Sequence, residues 1–158
     1  MAVFTVEDCA ASRSPGRLLR RLDKIMSAHV QSKFDGFDLT FQQWIALRVV
    51  RDGIVSNAGE LAADLGITTG ATTRMIDQLE EKGLLTRDRT SEDRRVVRLG
   101  ITPAGRLAAK ELQDHVVSAW NEVLVDFAQE EADQLVLLLT KLLAAAERVA
   151  AANKETEE

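Results

Sequence analysis

Tyrosine is absent from this 158-residue chain, which also has only one cysteine, two histidines and two prolines. With Cys9 alone, no intrachain disulfide can form. His29 and His115 add too few donors for a Cys- or His-based metal site. Both histidines fall at helical core or interface spacing, which favours a structural role. No apolar run approaches the roughly 18 residues that cross a bilayer, and the N-terminus lacks a basic region followed by an apolar stretch. The expected location is therefore the cytoplasm, with no membrane partner. No nucleophile–base pair, phosphate-cradling glycine loop or metal cluster is visible, so no enzyme activity and no cofactor are expected. Aromatics make up 4% of the residues against 46% hydrophobic. The abundance of Ala and Leu favours helices around an ordinary core.

The net charge of −5 argues at first against a nucleic-acid partner. Its distribution reverses that. Residues 111–158 hold eleven acids against Lys141, Arg148 and Lys154, whereas residues 87–98 hold five arginines against Asp88, Glu92 and Asp93. Local charge, not overall pI, sets the footprint on a polyanion.

After a loose tail over 1–13, Ser14-Pro15 has the form of an N-cap with proline at the first helical position. Leu18, Leu22, Ile25, Met26, His29 and Val30 then predict a first helix to about Lys33. Thr40 with Gln43 is a capping box for a second helix that ends at Asp52-Gly53. Asn57 with Glu60 opens a third that stops at Gly66. Thr68 or Thr69 caps a fourth, running to Lys82 before Gly83. Two antiparallel strands are expected over Thr86–Arg89 and Val96–Leu99, joined by a charged loop. Thr102-Pro103 opens a long fifth helix carrying Leu107, Leu112, Val116, Trp120, Leu124 and Phe127. A sixth is expected over about 130–151, with a solvated tail at 153–158. The fold class is mainly α with a small β-hairpin: helix, turn, helix, wing, flanked by terminal helices.

Leu135–Leu139 is apolar nearly all round, and one small lobe cannot cover it together with the first and fifth helices. The economical solution is a homodimer whose terminal helices bury one another; the rival is a monomeric helical lobe with a filled core. The expected division is 14–36 with 103–152 as a dimerisation lobe and 40–102 as a DNA-binding lobe.

On the fourth helix, Thr69, Gly70, Ala71, Thr72, Thr73 and Arg74 occupy the first turns. Small residues there let a helix end sink into the major groove of duplex DNA, its amides facing phosphate. Arg74 can reach a phosphate or a guanine edge. On the hairpin, Arg89, Arg94, Arg95 and Arg98 cluster with Asp93, which can pair with a neighbouring arginine, and an arginine at the tip suits the narrow minor groove. An amphipathic helix with a threonine-rich cap and a solvated charged loop are the bland readings of each part. The order of the parts favours DNA.

The run GATTRMIDQLEEKGLLTR, followed by SEDRRVVRLGITPAG, resembles the MarR family of bacterial winged-helix transcription regulators, and helix order agrees over about 14–150. The resemblance implies a homodimer on a pseudo-palindromic operator, with Arg95 of Asp93-Arg94-Arg95 in the minor groove. It also implies a repressor released by a small aromatic or phenolic anion. Arg17, Arg21, Lys24, Trp44, Arg48 and Trp120 are candidates for that effector's pocket; the alternative is that the tryptophans are core and the cations solvated. Some relatives sense peroxide through a cysteine supported by tyrosines. Cys9 precedes the first helix and no tyrosine is present, so a bystander role is expected. A winged-helix module that binds protein instead of DNA is the rival from another class.

Overall fold

The structure, a computed structural model, describes residues 4–6, 14–88 and 97–157. Cys9, Arg89, Asp93, Arg94 and Arg95 lie outside them, as do most of the expected N-terminal tail and the hairpin loop. In chain order come α1 (Pro15–Ser32), α2 (Phe41–Arg51), α3 (Ala58–Leu65), α4 (Thr69–Glu81), β1 (Leu85–Asp88), β2 (Arg98–Ile101), α5 (Pro103–Glu111), α6 (Gln113–Val123) and α7 (Gln129–Glu157). Among the described residues, no helix is long and apolar enough to cross a membrane.

Helix starts are fixed by side chains that accept from otherwise unpaired amides. The Gln43 N–H donates to Thr40 Oγ1 (3.1 Å) and the Thr40 N–H donates to Gln43 Oε1 (3.0 Å), a complete capping box. At α3 the Glu60 N–H donates to Asn57 Oδ1 (2.9 Å). The Glu60 carboxylate reaches one residue further back than a box requires, accepting from the Ser56 N–H (2.6 Å) and hydroxyl (2.9 Å). Those two bonds hold its pKa below the ordinary glutamate value. Ser14 does stand at the N-cap of α1 with Pro15 behind it, but its side chain makes no capping bond, which corrects that expectation.

The core of the first part of the chain is built from Val30, Phe34, Leu47, Leu61, Ile76, Leu79, Leu85 and Leu112, all essentially without exposure. It joins α1 through its C-terminal end to α2, α3, α4 and the hairpin. The expected strands shift: Leu85 pairs with Ile101 and Asp88 with Arg98. Alternation identifies a ribbon but does not set its register, which here follows the burial of Leu85 and Leu99. The single long helix expected from Pro103 is two helices, with Leu112 between them. The break is slight, because the Leu112 N–H still donates to the Ala108 carbonyl (3.3 Å). The last helix runs to Glu157, so the tail expected after residue 152 is helical.

The chain divides into two compact units, Met1–Ala119 and Trp120–Glu158. In the first, α1 buries Met26 and Val30 but leaves Leu18, Leu22 and Ile25 exposed. In the second, α7 leaves Val136, Leu138, Leu142, Leu143 and Val149 exposed.

Candidate nucleic-acid interface

The geometry of α4 is set by the turn before it. Gly66 has φ +62, a left-handed conformation that costs glycine nothing and most other residues a steric clash. The Ile67 N–H donates back to the Ala62 carbonyl (3.1 Å) and the Gly66 N–H to that of Ala63 (3.3 Å), the two bonds of a Schellman end. Thr68 follows at once and caps α4 by accepting from the Ala71 N–H (3.3 Å). Gly83 closes α4 with the same pair of bonds, to Leu79 and Glu80 (both 2.8 Å).

Thr72, Met75, Ile76 and Leu79 point into the core, and Thr69, Gly70, Ala71, Thr73 and Arg74 are exposed. Thr72 is thereby corrected as a candidate DNA contact. It has no exposure, and its hydroxyl donates to the Thr68 carbonyl (3.1 Å) one turn back. Thr73 makes the equivalent bond to Thr69 (2.9 Å) but stands exposed. Its remaining lone pairs and methyl group stay available to a ligand.

The hairpin is anchored on both sides. The Leu99 N–H donates to the Ser56 carbonyl (2.8 Å), and Asn57 bridges to Arg98, so β2 is tied to the start of α3. Thr102 joins β2 and α5 to the end of α4: its hydroxyl donates to the Gly83 carbonyl (2.7 Å) and accepts from the Gly105 N–H (2.9 Å). Arg98 is exposed at the base of the hairpin. Arg87, counted with the hairpin cations in the sequence, turns back onto α4. It pairs with Glu80 through Nη1 and with Asp77 through Nη2 (2.6 Å), and its backbone N–H donates to Glu80 Oε1 (2.9 Å). Burial works against its charge, but the hydrogen bond it donates to Asp77 and the charges of Glu80 and Asp77 outweigh that and raise its pKa. Its partners lie seven and ten residues away across a turn, a distance at which sequence spacing gives no signal.

The expected effector residues fall in both compact units, Trp120 in the second and the others in the first. Arg17, Arg21 and Lys24 are exposed on α1. Trp44 is a core side chain, 5% exposed, not the wall of an open pocket. Its indole N–H donates to the Ala109 carbonyl (3.0 Å), and its ring stacks on Phe41 at 5.8 Å. Arg48 lies over that ring at 5.0 Å and pairs with Asp52 at 3.7 Å. Trp120 lines a cavity of about 550 Å³ with Leu124, Ala132, Leu139 and Leu143. His115 packs edge-on against Phe37 at 4.9 Å, a structural contact. Among the described residues, no group of three His, Cys, Asp or Glu side chains is placed to hold a metal.

Residues 39–97 match the model of the MarR family. They form a MarR family domain. This segment contains α2, α3, α4 and β1. Around the MarR domain, most of the chain has the fold of solved relatives. The transcriptional regulator BldR from Sulfolobus solfataricus shares 24% identity with a TM-score of 0.76, covering 90% of this chain and 99% of that one. A cysteine-to-serine mutant of MarR from E. coli, solved in complex with operator DNA, shares 26% identity at a TM-score of 0.70, covering 86% and 99%. BpsR from Bordetella bronchiseptica, whose DNA binding is regulated by 6-hydroxynicotinic acid, shares 25% identity at a TM-score of 0.70, covering 83% and 94%. The chain is thus mainly helical with a two-stranded wing, a MarR-type winged helix.

Proposed function

We propose that the chain is a dimeric, sequence-specific DNA-binding transcription regulator that blocks transcription from a pseudo-palindromic operator. The observation that carries this reading is the exposed N-terminal half of α4. Gly70, Ala71, Thr73 and Arg74 stand clear on a helix whose other face is locked in the core. Such an end enters a major groove and reads it with Thr73 and Arg74. Arg98 continues the basic surface from the base of the wing; by the family resemblance Arg95 of Asp93-Arg94-Arg95 enters the minor groove, and Arg89 and Arg94 add positive charge to the same segment. A second copy covers the apolar faces of α1 and α7, so that 14–36 and 103–152 serve as the dimer lobe and 40–102 as the reader. Release by a small aromatic anion is consistent with the regulation of BpsR and draws on the cations of α1.

The test is selection from a random duplex pool, followed by footprinting. The expected footprint has two half-sites with centres about 10 bp apart. Affinity should fall steeply with salt as arginines displace counterions. Arg95→Ala should weaken binding and relax preference at A·T-rich flanks. A chain that retains no duplex at low salt would overturn the DNA-binding reading.

A further inference from the structure

As a surface for a polyanion, α4 has the wrong sign on its own. It carries one cation, Arg74, against the carboxylates of Asp77, Glu80 and Glu81. Asp77 lies one turn beyond Thr73 and two beyond Gly70, on the same exposed face, and its side chain is 56% exposed. Two cations of the following segment lie nearby. Lys82 is committed elsewhere: its ammonium pairs with Asp38 (2.7 Å) and donates to that residue's carbonyl, pinning the loop before α2. Arg87 is the other. It is the least exposed member of its cluster, at 18%, and its fork is closed on Asp77 and Glu80.

We propose that Arg87 is an internal counterion of the recognition helix. It offsets one of the two negative charges that Asp77 and Glu80 would present to phosphate, and it is not itself a DNA contact. This role rests on the DNA-binding reading above. Like charges brought together across an interface oppose association strongly, so lowering the negative charge of this helix favours docking on a polyanion. A guanidinium supplied from β1 does this without placing a bulky cation on the groove face. The small side chains at Gly70, Ala71 and Thr73 remain the leading surface.

The test titrates four full-length proteins against a duplex that the wild type selects from a random pool. They are the wild type, Arg87→Gln, the double variant Asp77→Asn with Glu80→Gln, and the triple variant combining all three changes. Arg87→Gln should bind about tenfold more weakly, because it leaves two bare carboxylates at the interface. The double variant should bind about threefold more tightly than wild type, since the cluster goes from a residual negative charge to a positive one. The triple variant should return to within about threefold of wild type, a rescue that neither a phosphate contact nor a purely structural brace would give. A triple variant as weak as Arg87→Gln would overturn the proposal. So would a double variant that binds no more tightly than wild type. That second measurement keeps Arg87 in place and decides the question even if Arg87→Gln fails to fold. If the wild type selects no duplex, the DNA-binding reading falls and takes this role with it. If the wild type binds and the rescue is missing, only the counterion role falls.

Discussion

Leu79 and Leu142 are the same residue type on two helices, yet Leu79 has no exposure and Leu142 is half exposed. Within the first unit the core is closed: the inner face of α4 belongs to one buried cluster with residues of α2, α3, the hairpin, the end of α1 and α5. The last helix does not close its own. Its run of leucines has the spacing and chemistry of a core and is left open. The contrast teaches that apolar periodicity reports what a helix is able to bury, not whether its own chain supplies the cover. The first region specifies a shape by itself, and the second specifies a demand for another surface.

The largest effect should separate the two regions by energy. Ile76→Ala removes a fully buried side chain from the closed core and should cost about 4 kcal/mol, independent of protein concentration. Urea unfolding at two concentrations checks this; a loss under 1 kcal/mol would mean that the core is not closed as described. Next, Leu138→Glu with Leu142→Glu should leave the winged region folded but abolish assembly. DNA affinity should then fall about 100-fold, as expected when two linked half-site contacts become one. Sedimentation together with binding titration reads both quantities, and a variant that still sediments as a dimer would break the comparison. A smaller effect divides neighbours on α4. Arg74→Ala should lose about 2 kcal/mol of operator affinity if it reaches a base, with unchanged stability. Thr72→Ala should do the reverse, losing about 1 kcal/mol of stability with its buried hydrogen bond and little affinity.

The smallest effect concerns acid. The Glu60 carboxyl is held below its ordinary 4.5 by the amide and hydroxyl of Ser56. A depressed folded-state pKa gives stability that is present above the unfolded value and lost as pH falls through the folded one. Glu60→Gln should therefore lie slightly below wild type at neutral pH and converge with it as pH falls below 4.5 and through the lowered folded-state value. Parallel curves throughout that range would show that the Ser56 bonds do not persist in solution.

Much of this architecture was legible in the sequence because it is set locally. Thr40, Asn57, Thr68 and Thr102 cap helices in the structure where their positions before apolar runs indicate, and Gly66 and Gly83 end helices. What was not legible depends on partners distant in sequence. The strand register follows cross-hairpin pairing, and the break at Leu112 lies within an unbroken apolar pattern. On α4, Thr72 stands three, four and seven residues before Met75, Ile76 and Leu79, so helical spacing marked it as facing inward, and only its polar side chain argued for the outer face. Trp44 looked available for a ligand until its indole N–H proved to be bonded to a carbonyl 65 residues away. The fork of Arg87 was hidden among the arginines of the hairpin, and only the fold brings it back onto α4.

The two tryptophans of the chain happen to fall one in each compact unit, Trp44 within a closed core and Trp120 at the start of the second, partly exposed. Because tyrosine is absent, ultraviolet emission from this protein is tryptophan emission alone. Trp44 is screened from water and should emit towards the blue, while Trp120 should emit further to the red and move with whatever comes to cover its apolar neighbours. Trp120→Phe and Trp44→Phe thus turn the chain into two single-colour instruments, one sensitive to melting of the first unit and the other to dilution of the proposed dimer.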